Sequence, residues 1–492
     1  MSDYSTKRTP GVYIDEVPHL PPSIVSVETA IPVFIGYTEK AIKNVTDDLI
    51  GTYWRITSPL EYQTYYGGAP AEPAGALSVT LDGTSATATV DETKRSPYLM
   101  FYSLQLFFAN GGGPCYIYSV GKYADTPVID YKAQFDALDE IAKESEITLI
   151  VFPDSMSMTD RDKYYELHQN ARKQCQAMRS RFVVMDVFRT RNKDTKKLNP
   201  WQDDVNIFKG QGPTPPAGQA APLSMADPDV NLESYVGAYF PRLISLVTYN
   251  YADANVTIKT SGQAATDIPA DAKTLDKLKA KNNAYYNQAI QALDSVEMLL
   301  PAATATVGVY AQVDNARGVW KAPANVNIID TVGPEVILAD VNQDTLNVDQ
   351  IGGLSINVIR YFTGRGNSII WGSRTLAGND NEWRYVPVRR FFIMVEQSVK
   401  NATQQFVFEP NDENTWVRIK SMITNYLTQQ WKAGALMGAS VKEAFFVHVG
   451  LGQTMTELDI WEGRMIIQIG MAVVRPAEFI ILQFMHKMLD ES

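Results

Sequence analysis

The runs ITLIVF (147–152) and FVVMDV (182–187) are apolar on every face, and the residues between them carry a helical period from about Asp160 to Arg179. A strand that is greasy on both sides must be covered on both sides, which is the condition of a parallel sheet layered by helices. CYIYSV (115–120) and IPVFIG (31–36) read as further buried strands, and the all-round apolar pattern at 98–108 reads as a buried helix stopped by Gly111 to Gly113. The middle of the chain is therefore expected to be an α/β domain built on βαβ units. Three stretches interrupt it: an alternating hairpin pattern within 69–95, a Pro/Gly/Ala loop (GQGPTPPAGQAAP) within 190–230, and a polar insertion at 251–275.

The last third changes character. Val388, Phe391, Phe392, Val395, Val399 and Ala402 fall on one helical face, and Trp416, Ile419, Ile423, Leu427 and Trp431 on another, ended by Gly434. Strand patterns follow at 445–449, 465–474 and 479–485, and TPGVYIDEV near the start reads as one more strand ahead of a Pro-rich spacer. This region is expected to form an α+β domain. An uncharged apolar strand close to a chain end needs a sheet to join, at home or on a neighbour.

Totals narrow the function. With 492 residues the chain is long enough for two or three domains, and a net charge of −11 without Lys/Arg clusters argues against a nucleic-acid partner. Cys115 and Cys175 imply no disulfide framework and read as core residues. The start lacks an apolar leader, so no signal peptide is expected, and no apolar run is long enough to span a bilayer. The common nucleophile, nucleotide and zinc signatures are missing, and His19, His168, His448 and His486 stand in no ligand spacing, so no cofactor or metal is expected. Asp154, Ser155 and Asp186 stand at carboxyl ends of strands, where open α/β sheets bind ligands, and with His168 they sketch a Ser/His/Asp set. Ordinary turn and cap chemistry explains them as well. TGRGN (363–367) reads as a tight turn more readily than as a phosphate loop.

Several blocks go beyond pattern. RGVWKAPAN (317–325), INVIRYFTGRGNSIIWGSRTLAG (356–378), EWRYVPVRRFFIMVEQSV (382–399), FVFEPND (406–412) and RPAEFIILQF (475–484), with TPGVYIDEV and FFANGGGPCYIYSV ahead of them, resemble in order the contractile tail sheath family of phages and phage-like injection systems. The resemblance implies an α/β plus α+β chain with arm residues 1–28, an outer domain at 29–371 carrying the three insertions, and an inner sheath domain at 372–492. It implies no enzyme. It implies a homo-oligomer of stacked six-fold rings around an inner tube protein, with baseplate and terminal cap proteins as further partners, no nucleic acid and no membrane insertion, assembled in the cytoplasm. Intersubunit strand exchange would then fall on Gly11, Val12, Tyr13, Ile14, Asp15, Glu16 and Val17, and on Glu478, Phe479, Ile480, Ile481, Leu482, Gln483, Phe484 and Met485. The helix around Trp416 to Trp431 and residues 434–443 are candidates to face the tube. An α/β hydrolase or protease using Asp154, His168 and a nearby serine, or another self-assembling viral structural protein, are the alternatives.

Overall fold

The computed structural model describes residues 23–483, apart from 125, 193 and 215–219. Strands β1 (Pro32–Thr38), β2 (Tyr53–Ile56), β3 (Leu77–Asp82), β4 (Ser85–Val90), β5 (Cys115–Lys122), β6 (Leu149–Val151), β7 (Phe182–Asp186) and β8 (Val236–Phe240) occupy the first half. After them come β9 (Leu243–Ser245), β10 (Thr257–Ser261), β11 (Met298–Leu300), β12 (Val326–Asn327), β13 (Thr331–Pro334), β14 (Asn357–Phe362), β15 (Gly366–Ile370), β16 (Phe445–His448) and β17 (Gln468–Met471).

A nine-stranded sheet, ordered β12-β15-β14-β8-β7-β6-β1-β5-β2, forms the spine. Its centre is parallel from β14 through β8, β7, β6 and β1 to β5, and antiparallel pairs close both ends. Every residue of β1, β6, β7 and β8 is buried, as their two-sided apolar sequences require. The helix Arg161–Met178, capped by Asp160, covers β7 with Tyr164, Leu167, Ala171 and Cys175. The helix Ala302–Arg317 lies so close to the helix Met100–Ala109 that only a glycine fits at position 308, where a Cβ would collide with the Phe107 carbonyl. Cys115 and Cys175 are free and buried in this core.

The two outer insertions prove to be one structure. The hairpin β3–β4 takes β10 as a third strand, parallel to β3 from Thr257↔Ser78 to Ser261↔Asp82. The helix Asn283–Asp294 packs on the hairpin. TGRGN is the turn of the β14–β15 hairpin, with Gly364 at φ 75.

Two compact units emerge among the described residues, one of Glu28–Met394 with 475–483 and a smaller one of 23–27 with Val395–Val474. This divides the chain differently from the boundary expected at 371/372. The cause is local: Arg374 is paired with Glu478 and Arg390 with Asp314, while Arg389 stacks on Tyr235, so the residues up to Met394 are held by the larger unit. The helix Val386–Thr403 carries the chain across that boundary.

Candidate assembly site

In the smaller unit the helix Glu413–Lys432 starts at Asp412, whose side chain accepts from Thr415 N–H, and buries Ile419, Met422, Ile423, Tyr426 and Leu427. Strand β16 alternates against it, with Phe445 and Val447 buried and Phe446 and His448 outward. Its antiparallel partner β17 runs from Phe445↔Met471 to His448↔Gln468. Only Gln468–Met471 of the expected strand at 465–474 keeps a regular ladder. Past Met471 the chain bonds residues 435–437 instead, through Met437 N–H to Ala472 and Val474 N–H to Ala435. Among the described residues β16 and β17 have no third strand, so each presents an unpaired edge. Trp416 and Trp431, half-buried, satisfy their indole N–H groups at home on Asn411 Oδ1 (2.7 Å) and the Gly438 carbonyl (3.0 Å).

The terminal segment behaves oppositely. Phe479, Ile480, Ile481 and Leu482 are 68%, 79%, 81% and 73% exposed, and Phe479–Gln483 forms no strand in this chain. Of the expected strand at 479–485, the described residues Phe479–Gln483 pair with no other strand among the described residues. Gly11–Val17, Phe484 and Met485 lie outside the described residues.

Glu478 is the exception within that segment. Its carboxylate accepts from Arg374 Nε (2.9 and 3.1 Å) and Nη2 (2.6 Å), from Asn347 Nδ2 (2.7 Å) and from the Tyr385 hydroxyl (3.1 Å). Burial pushes this carboxyl up, but hydrogen bonds from Arg374, Asn347 and Tyr385 outweigh it and hold it below the usual glutamate range. A related pin stands where the chain enters the larger unit: Arg390 binds both Asp314 oxygens (3.1 and 2.5 Å) and the Thr29 carbonyl (2.9 Å), and the Thr29 hydroxyl donates to Asp314 (2.6 Å). Sequence reading assigned Glu478 to a strand. Its pairing with Arg374 has no local signal, since the two are far apart along the chain.

The catalytic suspects do not form a site. Asp154 accepts backbone N–H groups from Tyr37 (2.7 Å), Leu99 (2.6 Å) and Met100 (2.8 Å), tying the end of β1 to the start of the helix Met100–Ala109. It leaves no room for a side chain at Gly36. Asp186 accepts from Ala302 and Ala303 N–H (2.7 and 3.2 Å) at the start of the helix Ala302–Arg317. Both carboxylates are helix caps at strand ends. Burial pushes Asp154 up to about 6 and Asp186 up to about 7, against the pull of those N–H bonds. Ser155 donates to the Phe152 carbonyl (2.6 Å), and His168, lowered to about 4 by burial, meets the Tyr164 carbonyl through Nδ1 (2.9 Å).

Residues 378–486 match the phage tail sheath C-terminal domain family. The tail sheath protein of Vibrio phage KVP40 is 28% identical over 129 residues, a match spanning 26% of this chain and 19% of that protein. Among solved structures, the anti-feeding prophage helical sheath in its contracted state is 30% identical, with TM-score 0.62, over 98% of this chain and 100% of that one. The sheath complex of the extracellular contractile injection system PVC, also contracted, is 27% identical, with TM-score 0.61, over 98% of each chain. These relatives place the chain among the structural proteins of phage tails and phage-tail-like particles. Within that class it belongs to the contractile tail sheath family.

Proposed function

We propose that the chain polymerises as stacked six-fold rings around an inner tube protein, held extended between a baseplate and a terminal cap, and contracts to drive the tube through a target envelope. The subunit performs no covalent chemistry. The smaller unit, joined to its neighbours by the exchanged terminal arms, is the inner part of the sheath and the larger unit the outer part. Contraction requires subunits to repack without separating. Strands exchanged at Gly11–Val17 and Glu478–Met485 are permanent joints, formed by main-chain hydrogen bonds on the open edges of β16 and β17, while side-chain contacts change partners. A head-to-tail joint of this kind builds a helical filament when its rotation does not close. If the contracted state is favoured by about 1 to 3 kcal/mol per subunit, the order of a typical coupling free energy, the sum over a long polymer drives the stroke without a nucleotide.

The observation that carries this reading is the pair of an apolar terminal run without a strand partner and a two-stranded ribbon with unpaired edges, in one chain of a sheath family. Chains lacking residues 1–17 or 479–492 are expected to sediment as folded monomers, whereas the full chain forms tubes in electron micrographs. Long sheaths built from either truncated chain would overturn the joints.

A further inference from the structure

Between Glu478 and Phe479 the chain passes from a carboxylate held by three side chains to a side chain 68% exposed. The carboxylate's main partner is itself built in. Arg374 is buried, gives Nη1 to the Gly378 carbonyl (3.1 Å), and has its backbone N–H and C=O both taken by the buried Asn357 side chain (2.7 Å each) at the start of β14. A tail that merely frays has no need to bring a charge under cover, and burying one is costly unless it is paired. The planar bidentate pair resists rotation as well as displacement, which a single point contact does not.

We propose that Glu478 is the positioning residue of the intersubunit arm: clamped by Arg374, Asn347 and Tyr385, it fixes where the arm leaves the larger unit and stops tension on the arm from reaching that unit's core. The partner at the far end is a second copy of this chain, so the inference rests on the strand-exchange reading above. Its own content is the clamp. The neutral bonds are removed first, in the full-length double variant Asn347→Ala, Tyr385→Phe, which keeps the ion pair; Glu478→Gln is the stronger variant. Each is compared with the unmodified chain for its unfolding temperature before assembly, amide exchange at 477–483, and the concentration at which sheaths form.

The double variant is expected to unfold at the unmodified temperature, exchange about tenfold faster at 477–483, and need about tenfold more protein to assemble. Glu478→Gln is expected to go further in the same direction, and Glu478→Asp to restore part of the loss. Unchanged assembly in both the double variant and Glu478→Gln would overturn the clamp, and so would assembly and unfolding temperature falling in step, since the bonds would then only hold the unit together. If instead deletion of 479–492 leaves assembly intact, the joint itself fails, whatever the clamp does.

Discussion

Asp154 shows how a strand-end carboxylate is misread. Its position was legible, because ligands and helix N-termini are drawn to the same end of a parallel strand. What occupies that end is decided by a helix start some fifty residues earlier in the chain, which local pattern does not reveal. Asp154→Asn would turn an amide N–H₂ toward a buried N–H donor, and is expected to cost about 1–3 kcal/mol in denaturant unfolding. Asp186 sets a pH dependence. Its carboxyl is raised when folded, so its contribution is complete below its unfolded value near 3.8 and is lost as pH rises through about 7. Stability should therefore fall between about pH 4 and pH 7 and level off above that, and Asp186→Asn should flatten that slope. Phe408 carries strain of a different kind. It sits at φ 71 in the third position of a type II turn closed by Glu409 N–H on the Phe406 carbonyl, with its ring fully exposed. Glycine suits that backbone, so Phe408→Gly is expected to raise stability by up to about 1 kcal/mol in thermal unfolding. A bulky residue kept there against its own preference fits a side chain retained for contact.

At the scale of elements, the parallel spine and the two long C-terminal helices were legible because two-sided apolar runs and 3.6-residue stripes admit few alternatives. The insertion sheet was not. The hairpin β3–β4 announces itself by alternation, but β10 joins it in parallel from far along the chain, and such pairings leave no local mark. Leu81, fully buried, tests whether this sheet is a stable part of the fold rather than decoration. Leu81→Ala is expected to cost about 2–5 kcal/mol and to open 262–274 to protease, while β6 and β7 keep their exchange protection.

For the molecule as a whole, the sequence pattern identified the terminal run as apolar and extended, but only the fold reveals that Phe479–Gln483 pair with no strand among the described residues. On the proposed reading, the exposed side chains at Phe479 to Leu482 and the unpaired edges on β16 and β17 are the two halves of a joint between neighbouring copies. Hydrogen exchange on the same protein before and after polymerisation reads this directly. Amides at 479–482, and those on the outer edge of β16 or β17, should exchange freely in the monomer and gain protection together in sheaths. If long sheaths form while the amides at 479–482 still exchange at monomer rates, the arm is not a joint and the subunits are held by other surfaces.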